Sequence, residues 1–138
     1  NESGVPCGVM IAALIPALND KTMEHVVEAA AAAGAEEAAY VILRLPYELK
    51  AVFKEWLAEH YPQRAEHVMS IVRQMRGGRD NDARFGTRMQ GEGVWAQLLS
   101  QRFHKACERF GLNRQRVALD LTQFKRPAPS APAQASLF

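Results

Sequence analysis

The chain has 138 residues, 48% apolar and 23% charged, with a formal net charge of +2. This is the profile of a globular domain with one core, and it excludes a low-complexity, collagen-like or strongly charged nucleic-acid-coating chain. Charge is balanced overall but not locally: Arg73, Arg76, Arg79, Arg84 and Arg88 crowd a short span that also holds Asp80 and Asp82. Two cysteines, Cys7 and Cys107, sit far apart in apolar settings. They read as buried thiols of a reduced, cytoplasmic protein and not as a disulfide. No signal peptide is apparent, and the opening apolar run is too short to span a bilayer, so no membrane partner is expected.

The first element is that run, residues 7–15, which stops at Pro16-Ala17-Leu18-Asn19-Asp20. A near-continuous apolar strand feeding a helix is the pattern of a parallel sheet covered on both faces. Such a sheet needs more strands than 138 residues supply, so the chain reads as the C-terminal part of a longer α/β protein. Asp20, or Asn19, is placed to cap a helix with Met23, Val26, Val27 and Ala30 at helical spacing, ended by Gly34. A second apolar run, residues 38–43, reads as another buried strand. A strand–helix–strand crossover of this length is parallel and right-handed in nearly every known case. Both strands then end on one edge, which brings residues 16–20 beside Arg44-Leu45-Pro46, and in parallel sheets the carboxyl edge is where ligands bind.

Three more helices are expected. Pro46 suits a first helical position, with Leu49, Val52, Phe53, Trp56 and Leu57 forming one apolar stripe. Tyr61-Pro62 breaks that helix and starts the next, with Ala65, Val68, Met69 and Val72 inward. The last carries Trp95, Leu98, Leu99, Phe103, Ala106, Cys107 and Phe110 before Gly111. These aromatic and methionine stripes read as core packing. Residues 77–93, rich in Gly, Arg and Asp, form a connection long enough to suggest a functional or mobile loop. From Lys125 onward the proline- and alanine-rich composition predicts a disordered tail.

The segment Gly4-Val5-Pro6-Cys7-Gly8-Val9-Met10 followed by Ile15-Pro16-Ala17-Leu18-Asn19-Asp20 resembles a late strand and turn of radical S-adenosylmethionine enzymes, in particular their spore-photoproduct-lyase-like bacterial branch. Residues 40–46 (YVILRLP), 53–57 (FKEWL) and 84–93 (RFGTRMQGEG) extend the similarity in the same order, from about Gly4 to Arg116. The resemblance implies an α/β fold: the last strand–helix–strand unit of a partial (β/α) TIM-like barrel (residues 1–46), then a helical C-terminal region (47–124), then the tail (125–138). It implies a parent enzyme that binds a 4Fe–4S cluster and S-adenosylmethionine and abstracts hydrogen from its substrate through a 5′-deoxyadenosyl radical. DNA is the partner that the lyase branch suggests, and the N-terminal half of the same barrel is the other. The family's Cys-x3-Cys-x2-Cys motif is absent here, so this chain alone is expected neither to hold the cluster nor to turn over. What carries over is the late-strand half of the cofactor pocket. Ile15 would lie against the adenine, Pro16 and Asn19 belong to the same turn, and backbone groups around Leu43 and Arg44 would read the adenine edge. Ala17 stands where the family usually has glycine.

Several residues keep two readings. Asn19 and Asp20 either cap the helix or orient the polar end of a ligand. Arg44, a charge directly after a buried strand, needs a partner, either an anionic ligand or Glu48 or Glu37. The arginines of residues 77–93 either grip phosphate or pair with Asp80, Asp82 and Glu92. Tyr40 reads as a packed strand aromatic in preference to a radical relay. His25, His60, His67 and His104 lack metal-ligand spacing and are given no role. The closing Gln134-Ala135-Ser136-Leu137-Phe138 is similar to the peptide that docks on the bacterial sliding clamp, with Gln134, Leu137 and Phe138 as its anchors. A module without catalysis, recruited through this tail, is therefore the alternative to the enzyme.

Overall fold

The computed structural model describes residues 5–114 and 121–126, and the tail peptide with Gln134, Leu137 and Phe138 lies outside the described residues. Strand β1 (Gly8–Leu14) pairs in parallel with β2 (Glu37–Ile42) across helix α1 (Met23–Ala32), the strand–helix–strand unit that the two apolar runs predict. Met10 faces Ala39 and Ile11 faces Tyr40 in the register, which skips Ala13 before Leu14 meets Ile42. Helices α2 (Leu49–His60), α3 (Ala65–Gln74) and α4 (Gly93–Phe110) follow. The protein is thus a mixed α/β chain with a two-stranded parallel sheet and a helical C-terminal half.

Alternation of side chains along the strands divides the sheet into a covered and a bare face. Leu14, Ala38, Tyr40 and Ile42 point into a core shared with Met23 and Val27 of α1, Ile71 and Met75 at the end of α3, and Leu99, Phe103, Ala106 and Cys107 of α4. Tyr40 packs on Phe103 at 4.7 Å between ring centroids, which is the packing role its strand position predicts. Gly111 ends α4 in the left-handed conformation (φ 79°), so that the Leu112 N–H reaches the Cys107 carbonyl and Leu112 turns into the core. A second cluster joins Leu43 and Leu45 to Leu57 of α2 and to Val68, Met69 and Val72 of α3. The opposite face of the sheet is different: Met10, Ala12 and Ala39 are exposed, so among the described residues only one face is covered and not two.

The two sheet edges also differ. The outer edge of β2 is closed by loops. Ala38 donates to Asn113 Oδ1 (2.8 Å) and its carbonyl accepts from Asn113 Nδ2 (2.9 Å), a side-chain amide standing in for a neighbouring strand. At the other end the Ile42 N–H donates to the Met89 carbonyl (2.9 Å). β1 has no strand partner besides β2 among the described residues. Among the described residues the sheet is therefore closed on the β2 side and open on the β1 side.

Four expectations need correction. Helix α2 begins at Leu49, since Tyr47 adopts φ 50° and detaches Pro46 from the helix. Of its apolar stripe only Leu57 is fully buried; Phe53 packs half-buried against the second cluster, and Trp56 lies at the surface with its ring against those of Phe53 and Tyr61. On α4, Trp95 and Leu98 are likewise largely exposed, and Cys7, expected inside, is exposed while Cys107 is buried. Among the described residues no helix is long and apolar enough to cross a membrane.

Candidate ligand site at the carboxyl edge

The carboxyl ends of β1 and β2 lie side by side, joined by the Leu43 N–H to Leu14 carbonyl bond (2.9 Å). Ile15 and Arg44, the residues that follow, therefore share one edge, as the crossover topology requires. The turn after β1 is tied by Asn19. Its Oδ1 accepts from the Ile15 N–H (2.7 Å) and its Nδ2 donates to the Ala13 carbonyl (3.0 Å). Asn19 accordingly makes no side-chain cap to the helix; it locks the turn that holds Ile15, half-buried, against the second cluster. Asp20 is no cap either. Its carboxylate accepts from Arg102 of α4, whose guanidinium also forks onto Glu24 of α1 (2.7 and 2.9 Å) and holds that carboxyl below its usual range. Ala17 has φ 59°, the left-handed region that glycine occupies at least cost.

Arg44 is not paired with Glu48 or Glu37. Its nearest polar contact is the Met89 sulfur (3.8 Å), and its Nε is buried without a hydrogen-bond partner. Among the described residues it forms no ion pair, so its charge is uncompensated at the edge. Leu43 is more committed: its N–H is spent on Leu14 and its carbonyl accepts from Arg76 (2.8 Å).

Arg76 is the residue that sequence reading missed. It is 1% exposed, and its guanidinium donates to the carbonyls of Thr87 (3.0 Å), Arg88 (2.9 Å) and Leu43 (2.8 Å), with a longer contact to Ile42. Burial depresses its pKa, Asp82 opposes that shift, and the like charge of Arg44 adds to it. One arginine fork thus fastens the loop of residues 77–93 to the end of β2. Its spacing carried a signal: Val68, Val72 and Arg76 recur every fourth residue, which puts Arg76 in line with the inward face of α3, just past the helix end.

The other loop charges are largely paired. Arg84 grips buried Asp82 with two guanidinium nitrogens and also reaches Glu92 (3.0 Å); together with its own N–H and the Thr87 hydroxyl this holds the Asp82 carboxyl well below the usual carboxylate range. Asp80 bonds Lys54 and Arg73, which lowers its pKa in turn. Arg73 and Arg84 therefore follow the ion-pair reading. Arg88 does not: it lies over the ring of Phe85 at 5.2 Å and has no carboxylate partner among the described residues.

The donor sets can be compared with the groups the family resemblance implies. Among the described residues no three His, Cys, Asp or Glu side chains are grouped to hold a metal, and the chain has two cysteines, Cys7 exposed and Cys107 in the core. An iron–sulfur cluster does not fit this chain by itself. The edge itself carries a half-buried apolar side chain at Ile15, packed against the second cluster, a turn pinned by Asn19, and an arginine with an orphaned donor at Arg44. The chain matches no protein-family model, no curated protein and no solved structure.

Proposed function

We propose that this chain is the C-terminal part of a radical S-adenosylmethionine enzyme acting on nucleic acid, and that its carboxyl edge forms the late-strand half of the cofactor pocket. The observation that carries the reading is the asymmetry of the sheet. The β2 edge is closed by Asn113 and Met89, while among the described residues the β1 edge and one apolar face are open. That arrangement suits the terminal strands of a partial (β/α) barrel whose earlier strands would join at β1 and whose bare face would line the barrel's interior. With the upstream half in place, Ile15 would present an apolar surface to the adenine, Asn19 would keep the turn in position, and Arg44 would neutralise the cofactor's carboxylate. The cluster ligands would come from the upstream half, and the bound cofactor would supply the radical that abstracts hydrogen from the substrate.

The test is cofactor affinity in the parent chain. Ile15→Asp sets a carboxylate against the ring face, and desolvating it costs at least a few kcal/mol, or roughly a hundredfold in affinity. Isothermal titration of the folded variant should register that loss; unchanged affinity would remove Ile15 from the site. The alternative, a non-catalytic module recruited to a sliding clamp through Gln134, Leu137 and Phe138, is favoured by the tail sequence. It predicts that a peptide of residues 134–138 binds the clamp at about micromolar strength and loses binding when Leu137 and Phe138 become alanine.

A further inference from the structure

The loop of residues 77–93 carries a feature that neither the cofactor pocket nor the ion pairs use. Phe85 is 91% exposed, on a loop that is otherwise fixed on both sides. Below it Arg76 bonds the carbonyls of Thr87 and Arg88, Asn81 Oδ1 accepts from the Leu45 N–H (3.1 Å), and Asp82 ties Arg84 to Thr87. At its far end the Glu92 N–H donates to the Met75 carbonyl (3.0 Å). Gly86, at φ 97°, makes the turn in which Phe85 is held out into solvent. A large apolar ring displayed on a fastened loop is not explained by folding, since exposure forgoes its burial free energy.

The charges around the ring decide what it fits. The three loop carboxylates are occupied: Asp80 by Lys54 and Arg73, Asp82 and Glu92 by Arg84. Of the arginines on and beside the loop, Arg76 is spent on backbone carbonyls, and Arg44, Arg79 and Arg88 have no carboxylate among the described residues; Arg88 lies over the Phe85 ring and Arg44 against the neighbouring Met89. A ring face with an unpaired arginine on it, and another unpaired arginine against Met89 of the same loop, complements a planar aromatic group linked to an anion. We propose that Phe85, Arg88 and Arg44 form a binding site for single-stranded nucleic acid, with one base stacked on Phe85 and the flanking phosphates on the two arginines. A duplex keeps its bases stacked on each other and offers the ring no face, so the site selects unpaired strands. The inference rests on the nucleic-acid part of the proposed function; it shares Arg44 with the proposed cofactor pocket, whereas Phe85 and Arg88 belong to this site alone.

The experiment is fluorescence anisotropy of the 138-residue chain with labelled single strands of about twelve nucleotides, DNA and RNA in separate arms, and with the matching duplex. Salt is varied between about 50 and 200 mM, and circular dichroism verifies the helices. The site predicts that single strands bind better than duplex. Phe85→Ala should weaken binding about five- to a hundredfold with the salt slope unchanged, and Phe85→Trp should restore it. Arg88→Gln and Arg44→Gln should each lower the salt slope by about 0.7. Phe85 is too exposed for these changes to unfold the chain. Equal binding of duplex, indifference to Phe85→Ala, or no strand binding by a chain with its helices intact would each overturn the proposal; the second result would assign the ring to a protein contact. Strand binding with no cofactor binding by the parent would leave this site standing and remove the radical-enzyme reading, and the reverse pair would do the opposite.

Discussion

Replacing Arg76 by methionine keeps an apolar stem of similar length and removes the fork that holds the loop. Three short bonds are lost, to Thr87, Arg88 and Leu43. Hydrogen bonds to a charged group contribute about 1.5–3 kcal/mol each, so the gross loss is about 5–9 kcal/mol. Against it stands the several kcal/mol that burying a guanidinium costs, which the variant no longer bears. The difference is a destabilisation of about 2–4 kcal/mol, arising where three carbonyls lose their donor. It should be centred on residues 77–93 and the end of β2, because the core clusters on either side keep their apolar contacts. Urea unfolding gives the magnitude, and hydrogen exchange gives the place: the amides of Ile42 and Glu92, which bond Met89 and Met75 across the loop, should lose protection first. Arg76→Lys should recover only part of the loss, since an ammonium cannot fork over carbonyls from two segments. A change below about 0.5 kcal/mol in Arg76→Met, or exchange spread evenly over α1 and α4, would refute the idea that one arginine fastens the loop.

Ala17→Gly should be neutral to stabilising by about 1 kcal/mol, because relief of about 1–2 kcal/mol at φ 59° exceeds or matches the entropic cost of glycine; a clear loss of denaturation midpoint would contradict it. A thiol reagent at neutral pH should modify Cys7 rapidly and Cys107 only on unfolding, since burial both shields the Cys107 thiol and raises its pKa. Stability should fall on acidification. Asp80, Asp82 and Glu24 have carboxyl pKa values lowered in the folded chain, so their contribution is complete above the unfolded value near pH 4 and is lost as pH drops through the lowered folded values. A thermal midpoint that is flat between about pH 5 and pH 2.5 would contradict those pairs.

The parts of this fold that follow from local pattern were legible in the sequence. Two apolar runs separated by one helix imply parallel pairing, and with it the shared edge of Ile15 and Arg44. Helical spacing placed Val68, Met69 and Val72 inward on α3, and Leu99, Phe103 and Cys107 inward on α4. What escaped depends on partners distant in sequence. Nothing local distinguishes Trp56, exposed, from Leu57, buried, because the answer lies in whether another element covers their side of α2. Asn113 sealing β2 across 75 residues and Asn19 bonding back to Ala13 are amide side chains that local reading assigns to turns and caps. Arg76 sits in a string of polar residues that reads as loop, and only its spacing from Val72 marks it as inward.

The central claim, that this chain completes a radical S-adenosylmethionine enzyme, is tested most directly in the protein encoded by the whole reading frame. After anaerobic purification and reduction, incubation with S-adenosylmethionine should yield 5′-deoxyadenosine in proportion to bound iron, with a Cys-x3-Cys-x2-Cys motif upstream of Gly4. A reading frame without that motif, whose product folds cooperatively as a monomer and yields no 5′-deoxyadenosine, would contradict the account.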